Sequence, residues 1–372
     1  DHACTLLAAL RLGFQLPSLQ STHWGIPPAY LLAVLQAAGL VDSANLPQPE
    51  LARAFLEASR AQALALLAQA WLNSQSLNDL RFVPALEFEG DWQNYPLETR
   101  RKLMDWLSQL PQDGWWSLPA FIAAVKEHEP DFQRPGGDYD SWFIRPEGSA
   151  SYLRGFTSWD EVDGALIRFM ICGPLHWLGF LDLAAPENTA SPTAFRPSAW
   201  YLALWHNQLP AGLPAETARL RVTGAGEVRV PVLIPRSVRY QVARFCQWEN
   251  ENREEYIYQL TPASLERARL QGLKTAHLTT LLRRHAVNPL PPTFIQALER
   301  WEKFGAQAAL GQASLLRVTA PEILTALRKT RANRFLGELL SPSAVLIRPG
   351  GEQAVMTALA EMGYLAESKL DV

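Results

Sequence analysis

Cysteine is scarce in this chain: Cys4, Cys172 and Cys246 are the three among 372 residues. They are far apart, odd in number and form no CxxC pair, which excludes a disulfide framework and a zinc ribbon. Cys172 sits in an apolar run and reads as a small core residue. A reducing cytoplasm fits this usage. Charge is also scarce, at 19% of residues, while 48% are hydrophobic. That balance excludes a disordered chain and a coiled coil and supplies material for a real core. No apolar stretch reaches the length of a membrane span. No basic segment followed by an apolar one marks a signal peptide. The opening Asp-His-Ala-Cys lacks Met and reads as a boundary, with sequence expected upstream.

The motifs of common chemistries are missing too. No Gly-x-x-x-x-Gly-Lys-Ser/Thr loop is present to cradle phosphates, and no GxGxxG follows a strand. Pro349-Gly350-Gly351-Glu352 reads as a turn before a helix. There is no GxSxG nucleophile elbow. The seven histidines, His2, His23, His128, His176, His206, His277 and His285, form no HExxH or HxH pair. His277 and His285 stand eight apart, unlike a two-ligand spacing, and His176 between Leu175 and Trp177 reads as packed. Asp138, Asp140, Asp160 and Asp163 gather in sequence but show no ordered nuclease pattern; a solvated loop and a helix start explain them. No catalytic residue, metal or cofactor is assigned.

What the chain does contain is thirteen tryptophans and an uneven charge. The tryptophans mostly fall at apolar positions of expected helices, where packing is their ordinary use. Tyr139, Trp142 and Phe143 in a glycine-rich loop are the least core-like aromatics. Residues 1–235 carry 16 Lys+Arg and 24 Asp+Glu, hence −8; residues 236–372 carry 18 and 13, hence +5. A polyanion contact is therefore expected in the C-terminal third. Its strongest basic run is Arg328-Lys329-Thr330-Arg331-Ala332-Asn333-Arg334, four cations in seven residues directly after a helix. Such cations meet phosphates through charge-assisted hydrogen bonds. Arg283-Arg284 forms a smaller second cluster.

Local signals predict an α+β chain that is mainly helical. Helices are expected at 31–38, 50–71 with a break near Arg60, 96–110, 118–127 capped by Ser117, and about 161–171 opened by a capping box at Ser158-Trp159-Asp160-Glu161. Gly173-Pro174 should stop the last. Residues 220–223 and 227–233 read as a hairpin around Gly224-Ala225-Gly226, 237–248 as a helix and 255–260 as a strand. Thr261-Pro262 reads as N-cap and first helical residue. Helices at about 263–270, 276–285 and 293–304, a strand at 314–318, a helix at 321–330, a strand at 344–347 and a helix at 352–361 complete the list. The loop from 130 to 146 and that from 186 to 197 are read as irregular. A helix running into glycine and then a short apolar segment recurs at Ala38-Gly39-Leu40-Val41, Leu178-Gly179-Phe180-Leu181 and Met362-Gly363-Tyr364-Leu365. The recurrence suggests repeated winged-helix-like units.

Tyr258-Gln259-Leu260-Thr261-Pro262-Ala263-Ser264-Leu265, Leu281-Leu282-Arg283, Pro289-Leu290-Pro291, Ala297-Leu298-Glu299-Arg300-Trp301, Leu339-Leu340-Ser341-Pro342 and Gly363-Tyr364 carry a family pattern. In this order they resemble the N-terminal domain of XPB-type DNA helicases, also found in bacterial helicase-associated proteins. Trp115-Trp116-Ser117, the segment from Pro130 to Trp142, Tyr152-Leu153-Arg154-Gly155-Phe156 and Gly173-Pro174-Leu175-His176-Trp177 resemble the middle region of the same bacterial proteins. The resemblance implies tandem winged-helix-like modules, at 1–90 and 91–235, followed by an XPB helicase N-terminal-like domain at 236–372. It implies no catalytic residue, since the motor motifs are missing here. The expected function is a non-catalytic, cytoplasmic DNA-binding or helicase-associated adaptor in DNA repair or transcription. Its partners would be DNA and a helicase or nuclease, with no membrane. Arg328, Lys329, Arg331 and Arg334 would be the phosphate contacts, with Arg283 and Arg284 secondary. The alternative is a protein–protein scaffold that uses winged-helix folds without touching DNA.

Overall fold

A computed structural model describes residues 1–14, 24–187, 191–252, 254–308 and 310–367. His23 and part of the 186–197 loop lie outside them. About 47% of the residues are helical, and the strands form small antiparallel sheets. The chain divides into two compact units, Asp1–Lys303 and Phe304–Val372.

The larger unit opens with α1 (His2–Arg11), α2 (Pro28–Ala37), α3 (Pro49–Glu57) and α4 (Arg60–Asn73). The break expected near Arg60 falls at Ala58-Ser59, both extended, where Ser59 and Gln62 form a capping box for α4. α1, α2 and α3 bury Leu6, Leu7, Leu35 and Phe55 against one another. A second core gathers around Trp71 of α4. It is covered by β1 (Leu86–Glu89), α5 (Pro96–Gln109), β2 (Trp116–Ser117), α6 (Leu118–His128), β3 (Phe143–Pro146), α7 (Ala165–Met170), β4 (Leu181–Ala184), β5 (Ala194–Pro197) and α8 (Tyr201–Trp205). β1 pairs with β3, and β2, β5 and β4 form a sheet in that order. Ser117 caps α6 as expected, accepting from the Ala120 N–H at 3.3 Å.

Two expectations in this region are corrected. Ser158 does not open a capping box: the chain already turns as a 3-10 helix at 156–158, and its hydroxyl donates to the Arg154 carbonyl. The helix that follows, α7 with a π turn at 160–164 before it, breaks as expected at Gly173, whose φ of −105° and ψ of −106° are not helical, next to Pro174, which has no backbone N–H to donate. His176 is exposed rather than packed, with Nδ1 3.0 Å from the Leu181 carbonyl. Cys172 is half-buried, whereas Cys4 and Cys246 are buried.

The third core of this unit joins β6 (Arg221–Val222), β7 (Glu227–Pro231), α9 (Arg236–Phe245), β8 (Gln247–Glu251), β9 (Glu255–Gln259), α10 (Pro262–Leu270), α11 (Thr275–His285) and α12 (Pro292–Phe304). Its sheet runs β6-β7-β9-β8, so it uses strands on both sides of residue 235. Thr261 and Ser264 form a reciprocal cap on α10, with distances of 3.1 and 3.0 Å. Thr261→Ala should cost about 1 kcal/mol of stability in urea denaturation, the usual value of an N-cap.

In the smaller unit, β10 (Ser314–Arg317), α13 (Pro321–Leu327), β11 (Leu336–Ser341), β12 (Ala344–Ile347) and α14 (Glu352–Glu361) surround Leu327, Val345 and Val355. Strand order is β10-β12-β11. The three recurrent glycines, Gly39, Gly179 and Gly363, all have φ between +69° and +86°, a backbone region that other residues rarely occupy. An isolated bridge at Val41 and strand β4 follow the first two, but 364–367 is not a strand.

Candidate nucleic-acid interface

The basic run is a short scaffold with its apolar residues turned in. α13 ends at Leu327, which is fully buried, and the N–H of Thr330 donates back to the Leu327 carbonyl at 3.0 Å. The Thr330 hydroxyl also donates to that carbonyl and accepts from the Ala332 N–H, capping a 3-10 helix over 331–335. Ala332 and Leu336 are buried. Arg328, Lys329, Arg331 and Arg334 between these anchors are all exposed. With three residues per turn, a 3-10 helix places residues i and i+3 on one face, so Arg331 and Arg334 share a side. Arg334 lies over the Phe335 ring at 4.6 Å. None of the four forms an ion pair among the described residues.

The fold adds a cation that the sequence pattern did not single out. The β11–β12 hairpin returns Arg348 to this site, where its N–H donates to the Phe335 carbonyl at 2.8 Å, and its side chain is exposed. Only the strand pairing of Leu336 with Ile347 makes these positions neighbours. Glu352, at the start of α14, is occupied elsewhere: it accepts from Ser314 at 2.8 Å. A backbone N–H first, and Ser314 second, hold its carboxyl below the ordinary range.

Gly351 sets the close approach behind the loop. A Cβ there would stand 2.6 Å from the Phe335 Cβ and 3.0 Å from the Arg348 carbonyl. Gly351→Ala must therefore push the 331–335 turn away from α14, at a cost of about 1–3 kcal/mol, as for overpacked sites. Faster hydrogen exchange in 331–336 and 352–359 than in the parent protein is the expected result.

Arg283 and Arg284 occupy the last turn of α11 in the larger unit and are exposed. The helix C-terminus itself favours cations there. Arg219 joins them: its Nη2 donates to the Arg284 carbonyl at 3.0 Å. Burial first, then Arg284 and Arg219, lowers the pKa of neighbouring His285. Arg219 lies 65 residues from Arg284 in sequence, and only the pairing of Leu220 with Ala286 brings them together.

The acidic cluster has other duties. Asp163 is fully buried and paired with Arg134 at 3.0 Å, and it accepts from Gln133 at 2.7 Å. Burial raises its pKa, against the pull of Arg134. Asp160 pairs with Lys126 at 2.6 Å, and Asp138 accepts from the N–H groups of Asp140 and Ser141. No group of metal-ligating side chains converges among the described residues. Of the loop aromatics, Trp142 is buried against Trp92 and Arg134, while Phe143 is exposed.

Comparison with known families places all six predicted cations in one segment. Residues 220–340 match the helicase conserved C-terminal domain. The matched segment is about a third of the chain and supports a helicase-associated family. It starts at the Leu220 that bridges to Ala286 and runs into β11, so it also includes Arg219's neighbours and the whole 328–334 turn. The helicase association read over 256–364 agrees with it. No curated protein matches the chain. No helix among the described residues is long and apolar enough to cross a membrane.

Proposed function

We propose that this chain is a helicase-associated adaptor without catalytic activity of its own, and that it binds DNA phosphates through Arg328, Lys329, Arg331 and Arg334. The carrying observation is the exposure of these four cations, unpaired by carboxylates among the described residues, on a turn fixed from behind by Leu327, Ala332 and Leu336. Arg348 extends the patch, and Arg219, Arg283 and Arg284 form a second one. Winged-helix-like and XPB N-terminal-like modules remain part of this reading. The order α5, β2, α6, the helical run 160–175, β4, β5, with the sheet ordered β2-β5-β4, supports the first.

One observation favours a scaffold role for that module. In winged helices that read DNA, the third helix enters the groove. Here the 160–175 run is buried along most of its length, including Val162, Ile167, Met170 and Ile171, and Gln133 and Arg134 from the preceding loop lock onto its Asp163. Its exposed residues are Asp160, which Lys126 pairs, Glu161 and Arg168, a mixed set with no basic stripe to meet phosphate. DNA contact is thus assigned to the C-terminal patch, and partner contact to the module at 96–197. Fluorescence anisotropy with single-stranded, duplex and forked DNA at low salt tests this division. Binding to at least one form is expected; binding to none would reject the DNA reading.

A further inference from the structure

A cavity of about 660 Å³ opens between α1 and the α9–β8–β9–α10 layer of the larger unit. Such a volume suits a drug-sized ligand. Its walls are mainly apolar, from Ala8, Ala9, Leu12, Ala243 and Trp248 among others. The polar feature at its base is Arg239, whose side chain is 2% exposed. Arg239 lies over the Tyr256 ring at 4.0 Å and donates through Nη2 to the Asp1 carbonyl. Among the described residues its Nη1 has no hydrogen-bond partner, and neither has the Thr5 hydroxyl in the same wall.

The charge arithmetic is one-sided. A second arginine, Arg267, lines the same cavity and lies over Phe14 at 5.7 Å. No aspartate or glutamate among the described residues contributes to the lining. Arg239 makes no ion pair among the described residues. Cys246 and Tyr258 do not supply a negative charge either: burial pushes the Cys246 thiol up to about 12 and raises the Tyr258 hydroxyl as well. A guanidinium buried without a counter-charge is costly, several kcal/mol in the usual range, and an anion that brings apolar surface with it would relieve that cost.

We propose that this cavity is a binding site for a small amphipathic monoanion, a carboxylate on an apolar body. Arg239 Nη1 and the Thr5 hydroxyl are sealed beneath the cavity wall, so a side-chain shift on binding would let the carboxylate accept from them, and the apolar body would fill the space toward Leu12 and Trp248. The site is separate from the basic residues assigned to DNA and does not depend on that assignment.

Isothermal titration calorimetry with decanoate and with decan-1-ol, each below its aggregation limit, tests the proposal on the full chain. Decanoate should bind at one site and more tightly than decan-1-ol by about tenfold or more, the usual value of a charged hydrogen bond. Arg239→Met should erase that preference. Ala263→Trp, at an exposed position on the rim, should weaken decanoate without disturbing the core. If Arg239→Met fails to fold, the acid–alcohol comparison and Ala263→Trp still decide. Absent decanoate binding, equal affinity for acid and alcohol, or an unchanged affinity in Ala263→Trp would each overturn the proposal.

Discussion

Replacing Arg328, Lys329, Arg331 and Arg334 together by Glu is expected to remove the salt-dependent part of DNA binding while leaving the fold intact. The four side chains are exposed, and the residues that hold the turn, Leu327, Ala332 and Leu336, are untouched. Each neutralised phosphate contributes about 0.9 to the log–log salt slope, so four contacts predict a slope near −3.6. That slope corresponds to a loss of about 150-fold between roughly 50 and 200 mM salt for the parent protein. The variant should bind at least about 100-fold more weakly at the lower salt, since four attractive charges become four repulsive ones. Unchanged circular dichroism would show that the loss is electrostatic. Arg348→Glu alone should give a smaller loss, because that side chain extends the patch rather than forming it. If the quadruple variant binds as the parent does, these cations are only a solvated surface.

The largest expected effect on stability comes from Asp79. Its carboxylate accepts from the Tyr30 hydroxyl at 2.6 Å, the Trp71 indole N–H at 3.0 Å and Arg100 Nε at 2.7 Å. Arg100 is fully buried and reaches on to the Ser74 and Leu77 carbonyls. Burial first, and Asp79 second, raise the pKa of the Tyr30 hydroxyl well above its ordinary value. Asp79→Ala would strand a buried cation and two buried donors at once. The expected cost is about 3–5 kcal/mol, a large share of the roughly 5–15 kcal/mol that keeps a typical domain folded. Urea denaturation measures it. A cost below about 1 kcal/mol would mean that Arg100 finds another partner or reaches water, and that the network is not a keystone of this core.

Local chemistry made much of the fold legible. Ser117, Thr261-Pro262 and Gly39 mark helix ends because a hydroxyl cap, a proline without an N–H and a left-handed glycine each act within a few residues. The 220–231 hairpin and the helix at 352–361 were readable for the same reason. What the sequence hid is non-local. β8 was read as the end of a helix, because Gln247-Trp248 differs little in propensity from the helix before it; its pairing with β9 decides the outcome. β11 was missed because Leu336–Ser341 becomes a strand only against β12. Ser158 looked like a cap but sits inside a helical turn set by the preceding Gly155.

The site divides in the same way. The four cations of 328–334 are close in sequence, and a charge run shows them directly. Arg348 and Arg219 carry no such signal, since strand pairing alone brings them beside Phe335 and Arg284. The occlusion of the 160–175 helix was equally invisible, because it depends on Gln133 and Arg134 crossing about thirty residues to reach Asp163. Asp138, Asp160 and Asp163 gather in sequence, whereas each has a separate structural partner.

The most direct test of the central claim is the affinity of the unmodified chain for fluorescein-labelled duplex DNA across a salt series. The account predicts binding at low salt with a log–log slope of about −3 to −4. A slope near zero, or no binding at the lowest salt, would contradict it and leave the chain as a protein-binding scaffold.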